Sequence, residues 1–336
     1  MKKIFFAMLG IAALLSVTAV KVMAQGSQYV MDKTIPLPGE GGYDYVFIDQ
    51  ANHILYASHG TAVNVVDLQT EKVIGTISDM KGVHGIAIVN DLNRGFISDG
   101  KGNAVVAFDI KTLKVIKTIP ITGKGADGII YDPFSKKIFA FEGDSNAAVV
   151  VDPRELKQVS SINLSGAPEF AVSDGKGLVY NNLEDKSSLD VIDTKTLKVI
   201  KNYPLTPCGG PTGLALDKEN QRLFTVCREN KGMSVVDVNT GKIVQTLPIG
   251  AGVDAVIYDA TNKLVIASNG DGTASIFKQN TPDNYSPVQT LTTQYRAKTM
   301  AMDLSTRKLY FPVVDFQKGT KTPVAGTFKL LVYKPQ

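Results

Sequence analysis

The chain has 336 residues, with 36 Lys and Arg against 32 Asp and Glu, two cysteines and no Trp. A formal charge of +4 is too small to mark a nucleic-acid binder or an anionic-membrane partner. Beyond the first two dozen residues no stretch is apolar for long enough to span a membrane.

Lys2 and Lys3 precede an apolar run from Ile4 to Val20, and Val22-Met23-Ala24 ends it with small residues at the two sites a signal peptidase reads. Residues 1–24 therefore read as a secretory signal, with cleavage expected after Ala24. A membrane anchor is the alternative, which Lys21 disfavours by cutting the apolar run slightly short. Without Lys2, Lys3 and Lys21 the balance is 33 basic to 32 acidic side chains, so the basic bias belongs to the leader. The remaining protein, residues 25–336, is expected in the periplasm or outside the cell.

From residue 41 onward a phrase returns with a period of about 42 residues. It reads hydrophobic strand, Asp, polar turn, hydrophobic strand, loop, Val-Val-x-Asp, Lys-rich turn, strand. Its second acidic marker falls at Asp67, Asp109, Asp152, Asp193 and Asp237, and Lys278 and Lys334 continue the slot. The unit from Gly125 shows the content. Ile129-Ile130-Tyr131, Ile138 to Phe141, Ala148 to Val151 and Val159 to Leu164 are short apolar strands, each followed by turn-forming residues. Such a four-stranded antiparallel meander cannot bury both faces alone, whereas seven arranged radially can. The fold class is thus all-β, a seven-bladed β-propeller of four-stranded antiparallel blades. The expected blades are 41–80, 82–121, 125–164, 166–205, 209–249, 250–293 and 295–336. The last has three strands of its own, and residues 29–37 resemble the outer strand of the second blade. They are expected to complete blade 295–336, leaving no open sheet edge. A monomer is the default for such a ring.

Most acidic markers have a local explanation. An Asp opening a turn accepts hydrogen bonds from backbone N–H groups just ahead of it. This applies to the markers above and to the first-turn set Asp49, Asp132, Asp217, Asp259 and Asp303. Cys208 lies in a Gly/Pro loop before a strand and Cys227 ends the following strand, so both fall at one end of a sheet. In an exported chain a disulfide is the first expectation, with two free thiols or a metal or redox pair as alternatives.

The segments "VNVVDLQTEKVIGTI", "VVAFDIKTLKVIKTIPI", "LDVIDTKTLKVIKNYPL" and "MSVVDVNTGKIVQTLPIG" resemble the repeat of YVTN-type β-propellers. The chain as a whole is similar to YncE-family exported proteins. That resemblance implies export, a seven-bladed ring and a binding role, and it implies no particular reaction. The absence of Trp sets the chain apart from WD repeats.

The link into each blade and the turn between its second and third strands share one face, here called upper. The position before each first strand reads Asp44, His84, Asp127, Glu169, Thr212, Asp254 and Lys298, which should ring the channel mouth. The ends of the second strands add His59, Asp99, Glu142, Asn182, Arg228 and Asn269 slightly farther out. The ligand-binding candidates are accordingly Asp44, His59, His84, Asp127, Glu169, Arg228, Asp254, Asn269 and Lys298. A divalent metal would draw on Asp44, His84, Asp127, Glu169 and Asp254. The carboxylates suit Ca²⁺ and the imidazoles Zn²⁺. Two longer loops, 314–327 above and 278–286 below, interrupt the period.

No phosphate-cradling loop, nucleophile elbow, haem motif or His-Glu-x-x-His occurs. The first functional expectation is therefore a scaffold that binds a small molecule or protein on its upper face. The alternative is a lactonase-like metal hydrolase using these carboxylates and Asn269, with His84 as acid or base. Nucleic-acid binding stands third, against a nearly neutral chain.

Overall fold

The computed structural model describes residues 28–40 and 42–336, and the expected signal peptide at 1–24 lies outside them. Seven antiparallel sheets of four strands make up the described chain. Besides strands there are three single-turn 3₁₀ segments, Asn90–Leu92, Gly143–Ser145 and Glu184–Lys186. No described helix is long and apolar enough to cross a membrane.

Blade 1 runs through Tyr43–Asp49, Ile54–His59, Ala62–Asp67 and Lys72–Ile77, from the channel outward. Blades 2 to 6 repeat that order, with innermost strands Val83–Val89, Ala126–Asp132, Pro168–Ser173, Pro211–Asp217 and Val253–Asp259. In the seventh sheet Ala301–Met302, Leu309–Val313 and Lys329–Pro335 are joined by Tyr29–Pro36, which pairs antiparallel with Lys329–Pro335. Gln289 of blade 6 then binds this outer strand through both polar groups of its amide. Its Oε1 accepts from the Tyr29 N–H at 2.8 Å, and its Nε2 donates to the Tyr29 carbonyl at 2.9 Å. The insertion at 278–286 is a continuation of the ladder rather than a loose turn, since Thr281 still pairs with Asn284.

The alternation of each strand sends one row of side chains toward each neighbouring blade, so the core lies between blades. Tyr56, Val63, Val65 and Ile77 of blade 1 pack against Ile86, Ile97, Val106 and Phe108 of blade 2. The seam between the seventh and first blades has the same character, with Ile35, Tyr310, Leu330 and Val332 against Leu55, Ala57 and Val66. Removing this surface from water is the main driving term for assembly of the ring.

The marker aspartates are turn residues. Asp67 Oδ1 accepts from the N–H groups of Gln69 and Thr70 at 2.8 and 2.9 Å. Asp109, Asp152, Asp193 and Asp237 repeat the pattern. The first-turn set does the same, and Asp132 and Asp259 also reach the next blade: Asp132 Oδ1 accepts from the Ser173 hydroxyl at 2.6 Å, and Asp259 from Arg307 at 3.0 Å.

Candidate functional site

In six blades the ring residue is the second residue of the innermost strand: Asp44, His84, Asp127, Glu169, Thr212 and Asp254. Each strand is irregular at that point. In blade 2, for example, pairing jumps from Val83↔Asp99 to Ile86↔Ile97, so His84 is left out of the ladder. The same shift recurs in the other five. A bulge re-aims a side chain that a regular pleat would send elsewhere, here toward the channel mouth.

The following backbone is held by its neighbours. Asn182 donates to the Thr212 carbonyl at 2.8 Å, and Thr299 donates to the Asp44 carbonyl at 2.7 Å. Ser98 and Ser268 hold the carbonyls of Asp127 and Lys298 in the same way. Close approach between blades requires glycine after the ring residue at Gly213, where a Cβ would meet the Ala255 Cα at 2.7 Å.

The ring divides into two halves. On one side Lys298 bridges Asp254 and Asp44, the latter at 3.7 Å. Arg228 contacts Asp254 and Glu184 and lies 3.7 Å from Glu169. On the other side His84 Nδ1 lies 2.7 Å from Asp44 Oδ2 and 3.4 Å from Asp127 Oδ1. One ligand atom from each of Asp44, His84 and Asp127 falls within 4.8 Å of the other two. Asp127 Oδ1 is shut away from solvent and has no hydrogen-bond partner, although the side chain as a whole keeps 31% exposure.

The electrostatics follow from this crowding. Burial, followed by the charge of Asp44, pushes the Asp127 carboxyl up to about 7. Burial, then the charges of Asp127 and Asp254, pushes Glu169 up to about 9. Burial alone would lower the pKa of His84, but its hydrogen bond to Asp44 and the charges of Asp127 and Asp44 outweigh it and raise the value. For Lys298 burial is likewise overcome, by Asp254 and Asp44, and the ammonium is held charged. The mouth thus holds more carboxyl groups than its fixed cations can neutralise, and Asp127 and Glu169 respond by holding their protons more tightly.

The structure brings together Asp44, His84, Asp127, Glu169, Arg228, Asp254 and Lys298. It does not bring His59 and Asn269 to the mouth. These residues end second strands, where the loop leading into the blade covers them, and they are buried at 6% and 0% exposure. His59 Nδ1 lies 3.3 Å from the Glu40 carbonyl, and Asn269 donates to Thr273 and Ser275 at 3.0 Å. The same row is a set of clamps with changing chemistry. Asp99 Oδ1 accepts from the Gly82 N–H at 2.8 Å, and Glu142 Oε1 from the Gly123 N–H at 3.0 Å. In blade 5 the clamp is covalent: Cys227 is disulfide-bonded to Cys208, with the Cα atoms 5.2 Å apart.

Two features escaped the sequence reading. Glu184, in a 3₁₀ turn, is a partner of Arg228. Beneath the ring, Tyr45 of blade 1 meets Phe170 of blade 4 with ring centroids 5.6 Å apart. Burial, and then the charges of Asp127, Glu169, Asp44 and Asp254, hold the Tyr45 hydroxyl well above its ordinary pKa. The signal was available, since both aromatics directly follow a ring residue where three other blades have glycine.

No protein-family model matches the chain, and no curated protein matches it in sequence. Solved structures do match in shape. The WD40 repeats of RRP9 superpose with a TM-score of 0.78 at 8% identity, covering 93% of this chain and 99% of that one. A chain of hydrazine synthase from Kuenenia stuttgartiensis gives 0.73 at 15% identity, covering 90% and 99%. A chain of the mitotic checkpoint complex gives 0.74 at 13% identity, covering 99% and 98%. Identities this low carry the fold alone. Fold and site define a seven-bladed β-propeller scaffold, an architecture consistent with a binding role.

Proposed function

We propose that this chain is an exported, YncE-like binding propeller whose upper channel mouth seats a divalent cation that anchors its ligand. Asp44, His84 and Asp127 would be the protein's ligands, while Asp254 is occupied by Lys298 and Arg228 and burial keeps Glu169 protonated near neutral pH. One observation carries the reading: Asp127 Oδ1, buried without a hydrogen bond and 3.4 Å from His84 Nδ1, shares a 4.8 Å cluster with an imidazole nitrogen and a second carboxylate oxygen. A buried acceptor without a donor is costly unless something positive occupies the space beside it. An imidazole in the set favours Zn²⁺ over Ca²⁺, which takes oxygen ligands.

Export is supported by the secretory pattern at residues 1–24 and by the disulfide, a bond that persists in oxidising compartments such as the periplasm or the cell exterior. The lactonase-like reading has less support, because Asn269, one of its metal ligands, is buried and engaged with Thr273 and Ser275.

The test is thermal unfolding of metal-stripped protein against Zn²⁺, Mn²⁺ and Ca²⁺. An ion that binds only the folded state raises the midpoint by mass action. A shift with Zn²⁺ that disappears in Asp127→Asn supports the reading, and no shift with any ion rejects it.

A further inference from the structure

Below the Tyr45–Phe170 pair the channel changes character. The ring above is charged, whereas the walls below carry Phe47, Ile86, Ile130, Val172 and Ile257. They enclose a cavity of about 500 Å³ and a side lobe of about 260 Å³, which share Tyr45, Phe47 and Phe170. That size is typical of small-molecule sites, about 300–1,000 Å³, as is an apolar lining with very few polar groups. Water gains little from such walls, since a stable internal water needs two or more polar partners.

The cavity opens downward. Its wall reaches Pro133, Ser173 and Lys218, which belong to the lower ends of innermost strands and their first turns, and no ring residue lines it. The Ser173 hydroxyl is already engaged by Asp132. Lys218 is the one charged side chain on either wall, it is exposed, and it makes no ion pair among the described residues. Its Nζ lies over the lower turn of blade 4, 3.5 Å from where a Cβ on Gly175 would be. Leu304, 45% exposed, lines the side lobe, and Phe134, 52% exposed, stands on the first turn of blade 3 nearby.

We propose that the lower channel is a second binding site, for a single-chain anionic amphiphile of the fatty-acid class. Its hydrocarbon chain enters end-on from the lower face and stops at Tyr45 and Phe170. Its anionic head stays at the opening, paired with Lys218. A narrow chain fits because the aromatic pair and the charged ring close the upper end. A single anionic head fits because Lys218 has no acidic competitor on the wall. The site is independent of the cation reading above and uses none of its residues.

The test is calorimetric titration of the protein with dodecanoate and with dodecanol, both below their self-association range. Saturable one-to-one binding of dodecanoate is expected. Val172→Trp, which fills the cavity, should abolish it while leaving the circular dichroism spectrum unchanged. Lys218→Glu, at an exposed position that folding does not need, should weaken dodecanoate about fivefold, the worth of a partly exposed ion pair, and leave dodecanol unchanged. If Val172→Trp does not fold, the contrast between dodecanoate and dodecanol in Lys218→Glu decides the question. No saturable binding of dodecanoate, or equal affinity in the wild type and Lys218→Glu, would overturn the proposal.

Discussion

The imidazole of His84 and the carboxylate of Asp44, from adjacent blades, share a hydrogen bond of 2.7 Å across the channel mouth. The bond, together with Asp127, raises the pKa of His84 against the opposing effect of burial. A pKa raised by folding contributes stability at low pH, and that contribution fades as pH rises through the folded value. Replacing His84 by Gln should therefore cost more stability at pH 5.5 than at pH 8.5. Nuclear magnetic resonance titration of the His84 ring should also show its pKa falling in Asp44→Asn. An unchanged pKa in that variant would contradict the pairing.

Glu142 makes the opposite prediction. It is fully buried, its Oε2 has no partner, and burial pushes its carboxyl up to about 7, against the Gly123 hydrogen bond that lowers it. An unfolded glutamate ionises near 4.5, so the native state loses stability between that pH and about 7. Glu142→Gln should be close to neutral at pH 4 and stabilising by on the order of 2 kcal/mol at pH 8, measured by denaturant unfolding. A constant effect across that range would mean that the buried clamp does not titrate.

The Cys208–Cys227 bridge closes a loop with a sequence separation of 19. Constraint of the unfolded chain makes a bridge of this span worth about 3 kcal/mol. The double Ser variant should lose that much while keeping its upper-mouth cation binding, because the clamp holds the loop into blade 5 and not the ring residues. Loss of binding without loss of stability would assign the cysteines a different role.

Gly213 tests the close approach of blades behind the ring. An added Cβ would meet backbone atoms of the next blade, Ala255 Cα at 2.7 Å and Asp254 O at 2.8 Å. Backbone cannot swing aside as a side chain can, so Gly213→Ala should cost about 1–3 kcal/mol. Equal stability of the variant would show the blades to be more loosely packed than this.

The architecture was legible because the repeat states it many times over. Asp67, Asp109, Asp152, Asp193 and Asp237 mark the same turn in five blades, and each blade has the same four apolar segments. The row of ring residues was legible for the same reason, since one place in the repeat reads out all seven. Pairing within the row was not. That Lys298 neutralises Asp254 while His84 is left between Asp44 and Asp127 depends on the diameter of the ring and on the bulges, neither of which sequence spacing expresses. His59 and Asn269 were assigned to the mouth because they end second strands, but a strand end lies beneath whatever loop crosses it. Tyr45 and Phe170 are 125 positions apart in sequence and touch only because blades 1 and 4 face each other across the channel.

Calorimetric titration of metal-stripped protein with Zn²⁺ in two buffers of different ionisation enthalpy asks whether the Asp44, His84 and Asp127 cluster holds a cation. A metal must displace the protons that Asp127 and His84 retain in its absence, so binding should release protons and weaken as pH falls below 7. One site per chain, proton release near neutral pH and loss of binding in Asp127→Asn are the expected results. Absence of binding in the wild type, or binding untouched by Asp127→Asn, would rule out a cation at this cluster.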